Sequence, residues 1–385
     1  MAGIYIHIPF CNSKCAYCGF YSLPSLKLKE QFWEALKAEI VAREDYLKQR
    51  SHCGLDPQSP SLKDNPLIHT IYFGGGTPSL LSVDEIGDIL HLIKDTYAVA
   101  SNAEITLEAN PDTLSLEYLE GLRKTGINRL SIGIQSFFDN DLQYLGRRHN
   151  AHHARQCLDW AKQADFNNIS LDLIYGLPGQ TMEDWKKDVE LALSLGIKHL
   201  SAYALSYEEG TRLDAMLRQG LVKEADEELS LQMYQHLMSA TEEAGYLHYE
   251  ISNFALPGYH SRHNSSYWQG TPYLGLGAGA HSYDGLRSRR ANLPDVKAYI
   301  AATGDVPHET ETLSDEELYN EFVMTRLRTS NGIPLDGLSP KDRSYCLSQA
   351  APHLRNTLLI IRNNHLCLSK EGIFTSNDII SDLLK

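Results

Sequence analysis

The sequence contains no apolar run that approaches the length of a membrane span, so a spanning helix is not expected. Basic clusters are equally scarce. Arg287, Arg289 and Arg290 form the nearest approach to one, and three charges on one turn read as a solvated loop rather than a recognition stripe. With a formal net charge of -14 the chain repels polyanions, which argues against a nucleic-acid partner. Outside one short stretch the cysteines are few. Cys53, Cys157, Cys346 and Cys367 are scattered without paired spacing, which argues against a disulfide scaffold and fits a reducing compartment. Met1-Ala2-Gly3 leads straight into an apolar strand, which leaves no room for a signal peptide and predicts a cytoplasmic protein.

What is present is a globular composition. With 385 residues, 42% of them hydrophobic, the chain can fill one large domain and a smaller one. From Ile4 to about Tyr203 short apolar runs alternate with longer amphipathic ones, the pattern of βα units around a parallel sheet. Strands are expected at Ile4–Ile8, Thr70–Phe73, Glu104–Glu108, Arg129–Ile134, Ser170–Ile174 and Leu200–Tyr203. Helices are expected near Leu28–Tyr46, Val83–Tyr97, Leu116–Lys124, Ala151–Ala164 and Met182–Leu195. Such units make a partial TIM-like (β/α)6 barrel, whose chemistry belongs at the C-terminal ends of the strands. The proline-containing, polar segment Ser51–Pro66 reads as an exposed loop.

Directly behind the first strand, Cys11, Cys15 and Cys18 stand at C-x3-C-x2-C spacing. Three thiolates on one short loop suit a [4Fe-4S] cluster with one iron left open to a small chelating molecule. A structural zinc ion would want a fourth ligand. His7 is the nearby candidate, but it shares a strand face with Tyr5, opposite Ile4, Ile6 and Ile8.

The second strand ends in Gly74-Gly75-Gly76-Thr77-Pro78, where the glycines let the backbone approach a ligand and present bare N–H groups. No Gly-Lys-Ser/Thr follows, so this is not a phosphate loop. The third strand ends at Glu108, an acid able to hold a ribose at a barrel rim, and the fourth leads into Gln135. Asp172 alternates with Leu171 and Leu173 and so faces a different environment, the barrel mouth. The Arg147 guanidinium can pair with a carboxylate.

These motifs resemble those of radical S-adenosylmethionine proteins, whose cluster cysteines read C-x3-C-x-aromatic-C, the aromatic here being Tyr17. The flanking Tyr5-Ile-His-Ile-Pro-Phe10 is similar to the branch holding oxygen-independent coproporphyrinogen III oxidases and the HemW heme chaperones. The resemblance implies a radical S-adenosylmethionine barrel with Cys11, Cys15 and Cys18 on the cluster. It implies S-adenosylmethionine contacts at Tyr5, Tyr17, Gly75, Gly76, Thr77, Glu108, Gln135, Arg147 and Asp172. In such proteins one electron from the cluster breaks the sulfonium C–S bond of the bound cofactor.

Beyond Tyr203 a helix at about Ala225–Ala244 and a strand at His248–Ile251 precede a loop, Gly258–Trp268, that carries an imidazole and large aromatic rings. Its His263-Asn264-x-x-Tyr267-Trp268 matches the heme-binding motif of the HemW family. Gly275-Leu-Gly277-Ala-Gly279-Ala280 lacks the βαβ context of a dinucleotide fingerprint and is expected to close a loop over the barrel mouth. The C-terminal order of helix Asp315–Arg328, helix Pro340–Gln349, hairpin Leu358–Ser369 turning at Asn363-Asn364, and helix Asn377–Leu384 is that of a winged helix without a basic stripe. The expected division is therefore a barrel over residues 1–224, an extension covering it over 225–313 and a small winged-helix-like domain over 314–385.

Two departures set the chain apart from the oxidases: the cluster loop starts at Cys11 without their long N-terminal arm, and Phe20 stands where they carry a further cysteine. The resemblance therefore implies a chaperone that binds the cluster, S-adenosylmethionine and heme. Its partners would be heme-accepting haemoproteins and an electron donor, with transient membrane association and a homodimer as further expectations. The alternative is oxidative decarboxylation of coproporphyrinogen III to protoporphyrinogen IX. A tRNA-modifying enzyme would need a basic RNA-binding domain, and none is visible.

Overall fold

Alternation of side chains along the strands decides how the sheet is used. The computed structural model describes residues 1–47, 66–302 and 304–385; Cys53 and residues 51–65 of the expected loop lie outside the described residues. The first half runs β1 (Ala2–Ile8), α1 (Lys29–Ala42), β2 (Ile68–Gly75), α2 (Val83–Thr96), β3 (Val99–Ala109), α3 (Leu116–Thr125) and β4 (Arg129–Gln135). It continues through α4 (Asp139–Tyr144), α5 (Ala151–Gln163), β5 (Ile169–Tyr175), α6 (Met182–Ser194) and β6 (His199–Ala204). The strands β1 to β6 are parallel neighbours in that order, as the alternating pattern predicts. Ser82 with Glu85 and Thr181 with Asp184 form capping boxes that start α2 and α6.

Register sorts the residues by face. Gly3 pairs with Thr70, Tyr5 with Tyr72, Thr70 with Glu104, Glu108 with Ser131, Gly133 with Asp172 and Asp172 with Ser201. All of these share the inner face. The residues between them, among them Ile4, Ile6, Ile71, Phe73, Leu107, Leu130, Ile132, Leu171 and Leu173, are buried in one apolar cluster with Phe32, Leu36, Ile89, Leu122 and Trp185 of the helices. The sheet is thus apolar toward its helices and polar inside. A TIM barrel usually fills its centre with branched apolar residues. Polar side chains enclosed this way need partners, either one another or a ligand.

The chain then adds strands to both edges. It continues with α7 (Arg212–Arg218), α8 (Glu227–Glu243), β7 (Leu247–Glu250), β8 (Asn253–Ala255), α9 (Arg262–Trp268), β9 (Tyr273–Leu276), β10 (His281–Tyr283), β11 (Ser288–Asn292), α10 (Val296–Ala301) and β12 (His308–Thr312). The twelve-stranded sheet reads β12-β11-β10-β9-β1-β2-β3-β4-β5-β6-β8-β7, with β9 parallel to β1, and it does not close. Among the described residues no helix is long and apolar enough to cross a membrane.

Two expectations are corrected here. The segment expected to be a loop up to Trp268 is helical from Arg262, because the Ser261 hydroxyl caps it by accepting the Asn264 N–H at 3.3 Å. Gly275 does not close a loop over the mouth but lies in β9 beside Tyr5, where β10 passes so close that a Cβ would sit 1.9 Å from the His281 carbonyl oxygen. This added edge is tied down by Glu39 of α1. Its carboxylate accepts the Gly277 N–H and Asn292 Nδ2 at 2.8 Å each and the Tyr299 hydroxyl at 2.7 Å, while Arg43 balances its charge at 3.3 Å.

The C-terminal segment, α11 (Asp315–Leu327), β13 (Ile333–Pro334), α12 (Pro340–Arg355), β14 (Leu359–Arg362), β15 (His365–Leu368) and α13 (Ser376–Leu383), has its own apolar cluster around Val323, Leu327, Cys346, Leu366 and Leu383. The expected hairpin turns at Asn363 and Asn364, whose φ angles of 50° and 62° are the left-handed values such a turn demands. Helix α12 runs on to Arg355, beyond the expected stop at Gln349.

Candidate functional site

The upper end of the barrel carries the thiols. The loop after β1 is laced to the rim by the Cys11 N–H on the Leu23 carbonyl at 3.0 Å, the Ala16 N–H on Leu145 O at 3.0 Å and the Leu213 N–H on Ala16 O at 2.8 Å. Cys11, Cys15 and Cys18 are free and partly exposed. Tyr17 anchors the loop in a small apolar cluster with Leu145, Ile174 and Leu177. Burial, with the neighbouring Cys15 and Cys11 sulfurs adding to it, pushes the Cys18 thiol up. Among the described residues no three His, Cys, Asp or Glu side chains group to hold a single metal ion. His7 is committed elsewhere. Its Nε2–H donates to the Tyr21 carbonyl at 3.0 Å and its Nδ1 accepts the Tyr5 hydroxyl at 3.1 Å.

A hydrogen-bonded belt joins two of the thiols. Cys11 Sγ lies 3.3 Å from Thr77 Oγ1, Asn110 Nδ2 donates to Thr77 Oγ1 at 3.1 Å, Arg147 donates to Asn110 Oδ1 at 2.7 Å, and the same guanidinium reaches Cys15 Sγ at 3.4 Å. Arg147 also donates to the Gly133 carbonyl at 2.7 Å. Gly76 fits beneath the loop only without a side chain, since a Cβ would lie 2.6 Å from the Phe10 carbonyl oxygen and 3.0 Å from Cys11 Sγ. Gly75, at φ +112°, turns its N–H to the Glu108 carboxylate at 3.2 Å. Gln135 ends β4 at φ +74°, a left-handed conformation that a non-glycine residue holds only when its surroundings demand it.

Below this rim lies a cavity of about 220 Å³ lined by Tyr5, Tyr72, Glu108, Asp172, His263 and Tyr267, with Ser131, Ser201, Tyr203 and Asn264 completing it. The Tyr72 hydroxyl donates to Glu108 at 2.8 Å. Enclosure raises the Glu108 pKa to about 7, the Tyr72 hydrogen bond opposing and the Asp172 charge adding to the effect. Asp172 is raised to about 6 for the same first reason, against the pull of Ser201, Arg129 and Arg147.

Helix α9 forms the cavity floor, at the N-terminal ends of the strands. Glu104 of β3 accepts the His263 N–H at 3.0 Å and the Arg262 N–H at 3.2 Å. The His263 ring is 1% exposed and stacks on Tyr72 with ring centres 4.9 Å apart. Its Nδ1 lies 2.8 Å from Thr70 Oγ1 and its Nε2 2.8 Å from the Tyr267 hydroxyl. Burial, with Arg129 nearby, lowers the imidazole pKa to about 3, so the ring is neutral and one nitrogen carries a lone pair.

The structure thus brings Tyr5, Glu108 and Asp172 together with His263, Asn264 and Tyr267 around one space. Thr77, Arg147 and Cys15 line a separate shallow depression at the rim, with Asn110. Trp268 is not among the cavity walls, and its indole N–H is buried without a protein partner. Sequence reasoning missed Asn110, Thr70, Tyr72, Ser131, Ser201 and Tyr203. For the five strand residues the signal is the polar side of each strand's alternation, while Asn110 stands just beyond the end of β3.

Residues 5–192 match the Radical SAM superfamily, and residues 313–375 match the HemN C-terminal domain. The chain is 32% identical to the heme chaperone HemW of Mycobacterium tuberculosis (strain CDC 1551 / Oshkosh), over 99% of this chain and 94% of that protein. It is 40% identical to the heme chaperone HemW of Synechocystis sp. (strain ATCC 27184 / PCC 6803 / Kazusa), over 86% of this chain and 78% of that protein. The chain belongs to the HemW family. This HemW-family fold superposes on the radical SAM enzyme coproporphyrinogen III oxidase (HemN) from Escherichia coli with a TM-score of 0.82, over 100% of this chain and 90% of that one at 22% identity. At that identity the likeness establishes the fold, a mixed α/β arrangement around a large, open, mainly parallel sheet.

Proposed function

We propose that this chain is a heme chaperone that carries a [4Fe-4S] cluster and S-adenosylmethionine and passes heme to heme-accepting proteins. One observation carries the reading: relatives named heme chaperone HemW match it along nearly its whole length, at 32% identity over 99% of the chain in one case.

The residues fit these groups. Cys11, Cys15 and Cys18 would hold the cluster through three irons, with Gly76 leaving the loop unobstructed and the Thr77–Asn110–Arg147 belt orienting Cys11 and Cys15. For S-adenosylmethionine, the Gly75–Thr77 backbone and Arg147 suit the amino-acid end. Glu108 and Asp172 offer carboxylate acceptors to ribose hydroxyls, and Tyr5, Tyr17 and Gln135 complete the set. When bound, the cluster supplies an electron and an open coordination site to this cofactor.

For heme, a neutral His263 offers Nε2 to iron, because Thr70 can accept the Nδ1 proton and fix the tautomer, as partners of metal-ligating histidines commonly do. Asn264, Tyr267 and Trp268 would accompany it. The imidazole is a suitable donor, but it is 1% exposed and the space beside it, about 220 Å³, is smaller than the roughly 300–1,000 Å³ of sites for ligands of this size, so the closed arrangement does not itself accommodate heme. The cytoplasm as location, an electron donor, transient membrane association and a homodimer belong to the same reading.

The test is anaerobic incubation of cluster-reconstituted protein with heme, in parallel with coproporphyrinogen III plus S-adenosylmethionine and reductant. Stable heme uptake without decarboxylated porphyrin supports the chaperone. Protoporphyrinogen formation would make it an oxidase instead.

A further inference from the structure

The turn that follows β4 holds more acceptors than protons. Ser136 is fully buried and has one hydroxyl hydrogen, yet its Oγ lies 2.9 Å from the Asp141 carboxyl of α4 and 2.9 Å from the Asp188 carboxyl of α6. The Phe138 N–H already donates to that Oγ at 3.1 Å, and the Phe137 N–H donates to the other oxygen of Asp188 at 2.8 Å. A serine hydroxyl donates once and an ionised carboxylate only accepts. Both 2.9 Å contacts are therefore hydrogen bonds only when one carboxyl keeps a proton and gives it to Ser136 Oγ. Burial pushes Asp188 up to about 7 and raises Asp141 as well, so at lower pH the pair retains that proton.

The charges around the pair supply no substitute. Asp184 of α6 adds repulsion to both carboxyls, and Asp139 of α4 is occupied by the Ala151 N–H at 2.7 Å. Arg155 of α5 and Lys187 and Glu190 of α6 line a groove against Asp188. His149 lies 3.1 Å from the Ile134 carbonyl, and burial with the Arg147 charge lowers it to about 3 and keeps it neutral. Among the described residues no cation pairs with Asp141 or Asp188.

Loss of the proton acts on one element. Asp188 is 0% exposed and pinned by the Phe137 N–H, whereas Asp141 is partly exposed on the six-residue α4. Helix α4 is the side that yields when two carboxylates face one hydroxyl. It carries the rim: Leu145 at its end accepts the Ala16 N–H of the cluster loop at 3.0 Å, and Leu142 accepts the N–H of Arg147 at 2.8 Å, whose guanidinium reaches Cys15 and Asn110.

We infer that Asp141, Ser136 and Asp188 are positioning residues that share one proton, and that this proton locks α4 so that Arg147 and the cluster loop keep the places from which they serve the cluster and S-adenosylmethionine. What the rim binds rests on the proposed function; the lock rests on the contacts alone. Deprotonation loosens the rim and weakens cofactor binding. Ionisation of Glu108 and Asp172 acts in the opposite direction, since it favours a sulfonium cation.

The experiment compares the parent with Asp141→Asn, whose amide donates permanently to Ser136 Oγ and leaves the hydroxyl for Asp188. S-adenosylmethionine is titrated anaerobically into the full-length, cluster-loaded proteins at about pH 6 and about pH 8.5, on either side of the shared titration. The parent-to-variant ratio of Kd is expected to rise about tenfold between them, the scale of one charge-assisted hydrogen bond. Glu108 and Asp172 are common to both proteins and cancel in the ratio. Melting of the same two proteins without cofactor reads the lock directly. The parent should fall behind the variant as pH rises from about 4 to about 7, the window in which the unfolded chain has lost the proton and the folded one still holds it. Asp188→Asn, whose amide can donate to Ser136 and accept from Phe137, should behave in the same way. Equal melting profiles overturn the lock. Diverging profiles with a constant Kd ratio overturn the positioning role. If no protein takes up S-adenosylmethionine at either pH, the cofactor reading falls and the melting profiles still decide the lock.

Discussion

Thr70 and His263, 193 positions apart in the chain, meet through a 2.8 Å hydrogen bond that joins the second barrel strand to the floor helix. Between these residues the barrel's polar lining is completed from outside the βα repeat.

Thr70→Val keeps the shape and removes the hydroxyl. His263 Nδ1 is then left unsatisfied in a buried site, which costs about 1–3 kcal/mol. The variant should unfold at a lower temperature, and its heme affinity should fall as the ring loses its fixed tautomer. A heme titration and melting temperature both equal to those of the parent would show that Thr70 does not orient the ring.

Gly76→Ala places a methyl 2.6 Å from the Phe10 carbonyl oxygen and 3.0 Å from Cys11 Sγ. The cluster loop must shift, at a cost of about 1–3 kcal/mol. Iron and sulfide content after reconstitution should drop below half of the parent value, and full content would refute the crowding argument.

Arg147→Lys retains the charge and loses the fork that spans Cys15, Asn110 and the Gly133 carbonyl. Groups that orient metal ligands typically contribute about 10–100-fold in affinity. The lysine variant should therefore surrender iron to a chelator roughly tenfold faster. An unchanged rate would reduce Arg147 to an S-adenosylmethionine contact alone.

Glu108 has a folded pKa raised to about 7, so its enclosed carboxylate is favoured in the protonated form. Its contribution to stability is therefore best at low pH, and a penalty builds as pH rises from the ordinary carboxylate range through about 7. Glu108→Gln removes that penalty. The apo variant should melt several degrees above the parent at pH 8 and close to it at pH 4. A gap that is constant across this range would mean that the carboxylate is not strained by enclosure.

Much of this was legible in the sequence. The six central strands followed from apolar runs spaced by amphipathic ones, and the placement of Asp172 on the inner face followed from Leu171 and Leu173 on either side. The added edge strands were hidden for a physical reason. Strands β9 to β12 are three to five residues long, and Gly275 in β9 is recognisable as sheet only beside Tyr5 and under His281, contacts that no local pattern encodes. Arg129 was equally hidden. Its place at the start of a strand suggests an exposed charge, yet it is 1% exposed inside the barrel, and only the combined register of β3 and β4 puts it there. The heme motif was visible as words, but its depth was not: His263 was expected on a loop and lies under the cavity.

The pairing of β1 with β9 sets an order of events in the making of the protein. Gly3 finds its neighbour Tyr273 only after ~270 residues have been joined, and the floor helix emerges just before it. At about 5–20 residues per second, the amino-terminal strand waits on the ribosome for tens of seconds with one edge bare. The cluster loop lies directly behind that strand, so a chain still being synthesised carries its thiols on an unfinished barrel. Completion of residues 262–276 is then the step that gives β1 its second neighbour and the cavity its floor.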